Sequence, residues 1–319
     1  MNRVTVLVTY DIHLHAYASG QMERFLHATL DEHARRAVPA TFLFPAAAAR
    51  QLQPTVRTLL DAGHEIGNHG LTHQGEEVYD LLAPEVQERF LRQATEELQA
   101  LTQRRMRCFR APAFRFSGTT IGVLEHLGYD AELSMNSQRL GLLSSDPWNV
   151  SWMLAPRGPY HPDVRHAWRR GTTRLWELPL SCLMVPFMSN TMRIFGLPFM
   201  KAFFRLLHAE AQATRHPVIF MSHPEELCEA RPADSTRPFR WRDLLPSRYG
   251  FQFRHALIEN DPAKVARLNR SLLDYMRSFE DVEFVTAGEC VDRLNGARGP
   301  IAESKQPSSA PTLTGTAVE

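Results

Sequence analysis

Four short apolar runs, each ending in a chemically active polar residue, constrain this chain more than any other feature. Val4-Thr5-Val6-Leu7-Val8-Thr9-Tyr10 leads into Asp11-Ile12-His13, and Gly63-His64-Glu65-Ile66-Gly67-Asn68 leads into His69-Gly70-Leu71-Thr72-His73. Met106-Arg107-Cys108-Phe109 leads into Arg110-Ala111-Pro112, and Val218-Ile219-Phe220-Met221-Ser222 into His223-Pro224. In an α/β barrel the side chains at the C-terminal ends of parallel strands converge on one mouth. The pattern therefore predicts a carboxylate, an arginine and several histidines around one pocket. That is the makeup of a metal-dependent hydrolytic site.

Strand and helix signals alternate along the chain. Strands are expected at Arg3 to Tyr10, Ala40 to Phe44, His64 to Asn68, Arg107 to Arg110, Tyr129 to Leu133, Thr173 to Leu180, Pro217 to Ser222 and Val282 to Thr286. Helices are expected at Gln21 to Ala37, where Met22, Phe25, Leu26 and Leu30 recur at helical spacing, and at Gln51 to Ala62, with Pro54 in the first turn. Further helices are expected at Ala83 to Gln103, Thr119 to Leu127 and Ala263 to Phe279. About seven β/α units result, which argues for a parallel (β/α) barrel. A barrel domain is expected over residues 1–295. From Gly296 the chain turns to Gly, Pro, Ser and Thr, and 296–319 is expected to be a disordered tail.

Composition sets limits on partners. The 319 residues carry a formal net charge of +1, so overall charge gives no reason to expect a nucleic-acid partner. Cys108, Cys182, Cys228 and Cys290 form no CxxC pair, and they read as reduced, mostly buried thiols. No run approaches the ~20 apolar residues of a membrane span, and the N-terminus does not read as a secretory signal. A cytoplasmic location is expected.

His69 and His73 are four residues apart. If a helix begins after the third strand, the two imidazoles share a face and can grip one metal ion. Alone, an HxxxH pair is common by chance, but here it follows a glycine-punctuated strand end. The segment Gly63 to His73 resembles the second motif of the polysaccharide deacetylase (NodB-homology) family. Thr9-Tyr10-Asp11 resembles its first motif, usually Thr-Phe-Asp-Asp, and Phe109-Arg110-Ala111-Pro112 its third. Glu177-Leu178-Pro179 resembles the Glu-x-Pro of related sugar deacetylases, and Ser222 to Leu227 the last motif, which reads His-Pro-x-Glu in several subgroups. The matches run in family order. The resemblance implies a deformed (β/α)7 barrel and metal-dependent removal of an N-acyl or O-acyl group.

One departure matters. The family's first motif usually supplies two adjacent acids, the first as base and the second as ligand, and Ile12 at the second position cannot bind metal. On a strand, residues i and i+2 share a face, so Asp11 and His13 can point to one pocket. The expected metal ligands are His13, His69 and His73, with His15 in reserve. Asp11 is the expected general base, His223 the general acid, and Arg110 the partner that keeps Asp11 ionised and oriented. Three neutral imidazoles leave the ion its full charge, which acidifies its water toward a pKa of about 7. Zinc is the first choice of metal, with cobalt, nickel or iron as alternatives.

Substrate is less constrained. Leu183 to Leu207 is rich in Met and Phe with cations at Arg193, Lys201 and Arg205. It reads either as a barrel helix with a core face or as a peripheral membrane contact, which would suit a lipid-linked sugar. Such a substrate would resemble that of the deformylases acting on undecaprenyl-linked aminosugars. Trp148, Trp152 and Tyr160 could stack on sugar rings or simply pack. The first expectation is a cytoplasmic deacetylase or deformylase acting on an amino sugar. A hydrolase of a small non-sugar amide, or an inactive binding protein suggested by Ile12, are the alternatives.

Overall fold

The computed structural model describes residues 3–13, 19–75, 77–138, 150–229, 241, 245–247, 250–251 and 257–298. His15, Trp148 and residues 299–319 of the expected tail lie outside these. Eight parallel strands form one curled sheet: β1 (Val4–Asp11), β2 (Thr41–Phe44), β3 (Glu65–Asn68), β4 (Cys108–Phe109), β5 (Ala131–Glu132), β6 (Trp176–Glu177), β7 (Val218–Ser222) and β8 (Val282–Val285). β1 pairs with β7 through Val6–Tyr10, with β2 through its upper half and with β8 through its lower half. From β2 the sheet continues in sequence order to β6. Irregular backbone links β6 back to β7: Ser181 N–H donates to Ile219 O at 3.4 Å, and Ile219 N–H to the Ser181 hydroxyl at 2.9 Å. The result is a deformed (β/α)7 barrel with β8 as an added strand.

Alternation along β1 sets the two cores. Val4, Val6, Val8, Tyr10 and Ile12 pack outward against the helices, while Leu7 joins Leu43, Cys108, Ile219 and Met221 in the inner cluster. This places Thr9 and Asp11 on the inner face with Leu7. The strands expected at 107–110, 129–133 and 173–180 shrink to two-residue ladders, and just beyond β5 side chains serve the backbone groups. Ser134 N–H donates to Glu132, Met135 N–H to Glu177, and Leu133 O accepts from Arg110 Nε. The four cysteines are free thiols, three of them buried.

Helices α1 (Ser19–Arg36), α4 (Pro84–Thr102), α5 (Gly118–His126) and α7 (Pro262–Arg277) match the periodicity to within two residues at each end. The single helix expected at Gln51 to Ala62 begins earlier and is split into α2 (Ala46–Gln51) and α3 (Gln53–Asp61). Pro54 lacks an N–H and its ring clashes with the carbonyl four residues back, so the chain restarts at Leu52. The Met- and Phe-rich segment folds largely into α6 (Ser189–Thr214), broken at Gly196 (φ 78°) just before Pro198. Its inner face buries Met192, Met200, Phe203, Phe204 and Leu207, while Phe195, Phe199 and Leu206 remain exposed. The last helix among the described residues, α8 (Ala287–Arg298), closes the bottom of the barrel: Ala287 N–H donates to Thr41 Oγ1 and Gly288 N–H to Glu65. Among the described residues no helix is long and apolar enough to cross a membrane.

Candidate metal centre and active site

β1 delivers Asp11 to the mouth of the barrel, where its carboxylate is buried. Arg110, immediately after β4, is fully buried and donates from Nη1 to Asp11 Oδ1 at 2.7 Å and to Thr9 Oγ1 at 3.0 Å. Its Nε donates to Leu133 O at 2.9 Å, which fixes the plane of the guanidinium. Burial by itself pushes the Asp11 carboxyl up. The Arg110 charge and hydrogen bond, with help from His69 and His223, outweigh this and hold it below the ordinary carboxylate range. Asp11 is thus an ionised acceptor in a nearly dry site.

Ile12 turns the other way. It is fully buried in the outer core with Tyr10, which explains why an apolar residue is accommodated there. His13, two residues beyond Asp11, returns to the site. Its ring lies 5.9 Å from that of His69, 4.5 Å from that of His73 and 4.6 Å from that of His223, centroid to centroid. One nitrogen from each of His13, His69 and His73 lies within 4.8 Å of the others.

His69 follows β3 and is almost wholly buried. Its Nδ1 lies 2.8 Å from the Arg110 carbonyl oxygen. A carbonyl only accepts, so Nδ1 carries the proton and Nε2 presents its lone pair. Nε2 is buried with no hydrogen-bond partner, 3.9 Å from Asp11 Oδ2. Burial, only partly offset by Asp11 and the carbonyl, keeps the ring below its ordinary pKa and therefore neutral. A neutral imidazole with one nitrogen anchored to a backbone carbonyl and the other bare is the usual state of a metal-ligating histidine. The three residues therefore fit a divalent ion.

His73 reaches the cluster by a route that differs from the helical expectation. Residues 69–75 contain no helix; they form a loop that turns at Gly70 (φ 89°) and has His73 itself at φ 57°. A Cβ at Gly70 would collide with the Glu77 carboxylate. That carboxylate holds the loop, accepting from the backbone N–H groups of Leu71, Thr72 and His73 at 2.5, 2.7 and 2.8 Å, from the Thr72 hydroxyl, and from Tyr79 OH. Sequence reasoning missed Glu77. Its only signal was an acid four residues after His73, in a stretch without helical periodicity.

His223 opens the short helical turn after β7. Its Nδ1 lies 3.5 Å from Glu226 Oε2, which also accepts from the His223 N–H at 3.1 Å and from Ser222 Oγ at 2.9 Å. Burial would lower the His223 pKa, but Glu226, Glu225 and Asp11 together raise it to about 9. His223 is thus a charged donor beside an ionised acceptor. Trp152 and Tyr160 do not flank the cluster as sugar platforms: both are buried, Trp152 against Phe116 and Tyr160 with its hydroxyl donating to Ala167 O.

The family model described as Polysaccharide deacetylase matches residues 1–132. No curated protein sequence matches the chain. Among solved structures, a candidate polysaccharide deacetylase from Mycobacterium smegmatis is similar with a TM-score of 0.61 at 14% identity, covering 97% of this chain and 96% of that one. A probable polysaccharide deacetylase from Pseudomonas aeruginosa PAO1 has a TM-score of 0.58 at 16% identity, and the allantoinase PuuE 0.58 at 14%; each covers 94% of this chain and 93% of its own. At these identities the likenesses show the shared barrel. The stretch that matches the polysaccharide deacetylase model holds the first motif, which here reads Asp11-Ile12-His13.

Proposed function

We propose that the protein is a metal-dependent hydrolase that removes an acetyl or formyl group from an amino sugar. The observation that carries this reading is the convergence of His13, His69 and His73 beside an ionised Asp11 and a protonated His223. A divalent ion held by the three histidines, zinc as first choice, would polarise the acyl carbonyl and acidify water. The chain's own residues do the rest. Asp11 accepts the proton of the attacking water at Oδ2, the oxygen left over from its bond to Arg110. Arg110 keeps that carboxylate ionised and aimed. His223, with Nδ1 held toward Glu226, donates from Nε2 to the departing nitrogen. Its raised pKa keeps it protonated at neutral pH.

The match of residues 1–132 to the polysaccharide deacetylase model supports a carbohydrate substrate. A lipid-linked sugar, met by a cytoplasmic enzyme in peripheral membrane contact, is supported by the exposed Met184, Phe195, Phe199 and Leu206 in and around α6. The similarity of fold to a structure named as an allantoinase favours testing a small amide as the second substrate class. The test is metal analysis of the purified protein and of His13→Ala, joined to a screen for acetate or formate released from N-acyl amino sugars and small amides. About one ion per chain, weakened strongly in His13→Ala, and acyl release from a sugar support the reading. Full metal and activity in His13→Ala would mean that another residue completes the site. A chain without metal and without hydrolysis would be a binding protein on this barrel.

A further inference from the structure

The break in α6 separates two pieces of helix with different neighbours. Beyond Pro198 the helix packs on α7, with Phe204 against Tyr275 and Phe279. The piece before Gly196 is only seven residues long and carries Arg193, whose side chain is 9% exposed. Arg193 donates from Nη1 to Glu226 Oε1 at 3.2 Å, from Nη2 to Asn260 Oδ1 at 2.8 Å and from Nε to Glu259 O at 2.8 Å. The Arg193 carbonyl accepts in turn from Glu259 N–H at 3.0 Å. One guanidinium thus ties three segments together, and the oxygen of Glu226 that it engages is the one not facing His223.

This division of the carboxylate has a consequence. Glu226 Oε2 serves Ser222 and His223, and Glu226 is almost wholly buried. A buried carboxylate needs its lone pairs filled on both sides to stay in one rotamer. Oε1 is supplied by Arg193, so the direction of Oε2 toward His223 depends on a residue from another helix, 33 positions upstream. Glycine at positive φ, with Pro198 two residues on, permits the change of direction between the two pieces.

We propose that Arg193 is a positioning residue for the proton donor: it locks the Glu226 carboxylate in the orientation that aims His223 at the leaving nitrogen, and the break in α6 exists to bring it there. This rests on the reading of His223 as general acid. Among the residues around the histidine cluster, Arg193 is neither a ligand nor in contact with the reacting atoms.

The experiment compares Arg193→Gln and Arg193→Lys with wild type on an N-acetyl amide and on an activated aryl acetate, alongside crystal structures of both variants. Arg193→Gln should lower kcat on the amide by about tenfold or more, a fraction of the ~10²–10⁴ that a general acid supplies, with KM within about twofold. The aryl ester, whose leaving group needs no proton, should lose little. Arg193→Lys should recover part of the amide activity, since it keeps the charge without the fork. Equal losses on both substrates, or a loss confined to KM, overturn the proposal. The crystal structures decide it independently of catalysis. Glu226 turned away from Ser222 and His223 in Arg193→Gln supports the proposal, and Glu226 unmoved overturns it, whether or not the protein proves to be a deacylase.

Discussion

Glu77→Gln perturbs the site without replacing any of the proposed ligands or reacting groups. In the native protein one carboxylate oxygen accepts from Thr72 N–H, His73 N–H and the Thr72 hydroxyl, and the other from Leu71 N–H and Tyr79 OH. Gln keeps the shape but offers an NH₂ to one of these donor groups. Either two or three donors then face a donor. Hydrogen bonds to a charged acceptor contribute ~1.5–3 kcal/mol each, and an unsatisfied buried donor costs ~1–3 kcal/mol. Because the five contacts share one group and the loop relaxes, the net loss should be about 2–4 kcal/mol rather than their sum. For a chain of this size, ~2 °C per kcal/mol implies a fall in Tm of about 4–8 °C. The loop carries His73, so the loss should also appear as weaker metal binding, by about 10–100-fold, the range seen when a partner orienting a ligand is removed. The assay is zinc competition against a chromophoric chelator, with thermal unfolding recorded with and without zinc. The drop in Tm should be larger with zinc present, since stabilisation by ligand follows its affinity. Wild-type zinc affinity in Glu77→Gln would refute the claim that this carboxylate builds the third corner of the site.

Three further outcomes are expected. Asp11→Asn should retain metal, measured by elemental analysis, while turnover falls about 10²–10⁴-fold; metal lost together with activity would make Asp11 a ligand. His223→Ala should cripple amide cleavage far more than aryl-ester cleavage, and equal losses on both would place the proton donor elsewhere. The buried trio Tyr10, His33 and His64 gives the fold its own pH dependence: His33 Nε2 accepts from Tyr10 OH and its Nδ1 donates to Val38 O, and burial lowers its pKa to about 3 and that of His64 to about 4. Folded pKa values below the unfolded ~6.5 mean that this stability is present above pH 6.5 and lost as pH falls toward 3, at ~1.4 kcal/mol per pH unit for His33. Urea unfolding between pH 7 and 4 should show this slope flattened in His33→Gln, and an unchanged slope would exclude His33 as its source.

What could be read from the sequence is what depends on short-range periodicity. The two-residue period of a strand put Asp11 and His13 on one face and Ile12 on the other, and the structure shows that division: Ile12 in the outer core, the two polar residues at the mouth. The apolar runs gave the barrel for the same reason, since burial of a strand is written in neighbouring residues. The same logic failed at His69 and His73. Four-residue spacing implies one helical face only if a helix exists, and the turn at Gly70 with the Glu77 carboxylate beneath it supports a loop instead. Arg193 was equally illegible, as one cation in a Met- and Phe-rich segment. Its contact with Glu226 spans 33 residues and requires the break at Gly196, the placement of α6 beside β7, and the loop at Glu259–Asn260. Local pattern determines which face of an element a side chain takes. Which distant groups meet on that face is decided by the strand order, the helix break and the charge each buried group must neutralise, and only the assembled fold supplies those.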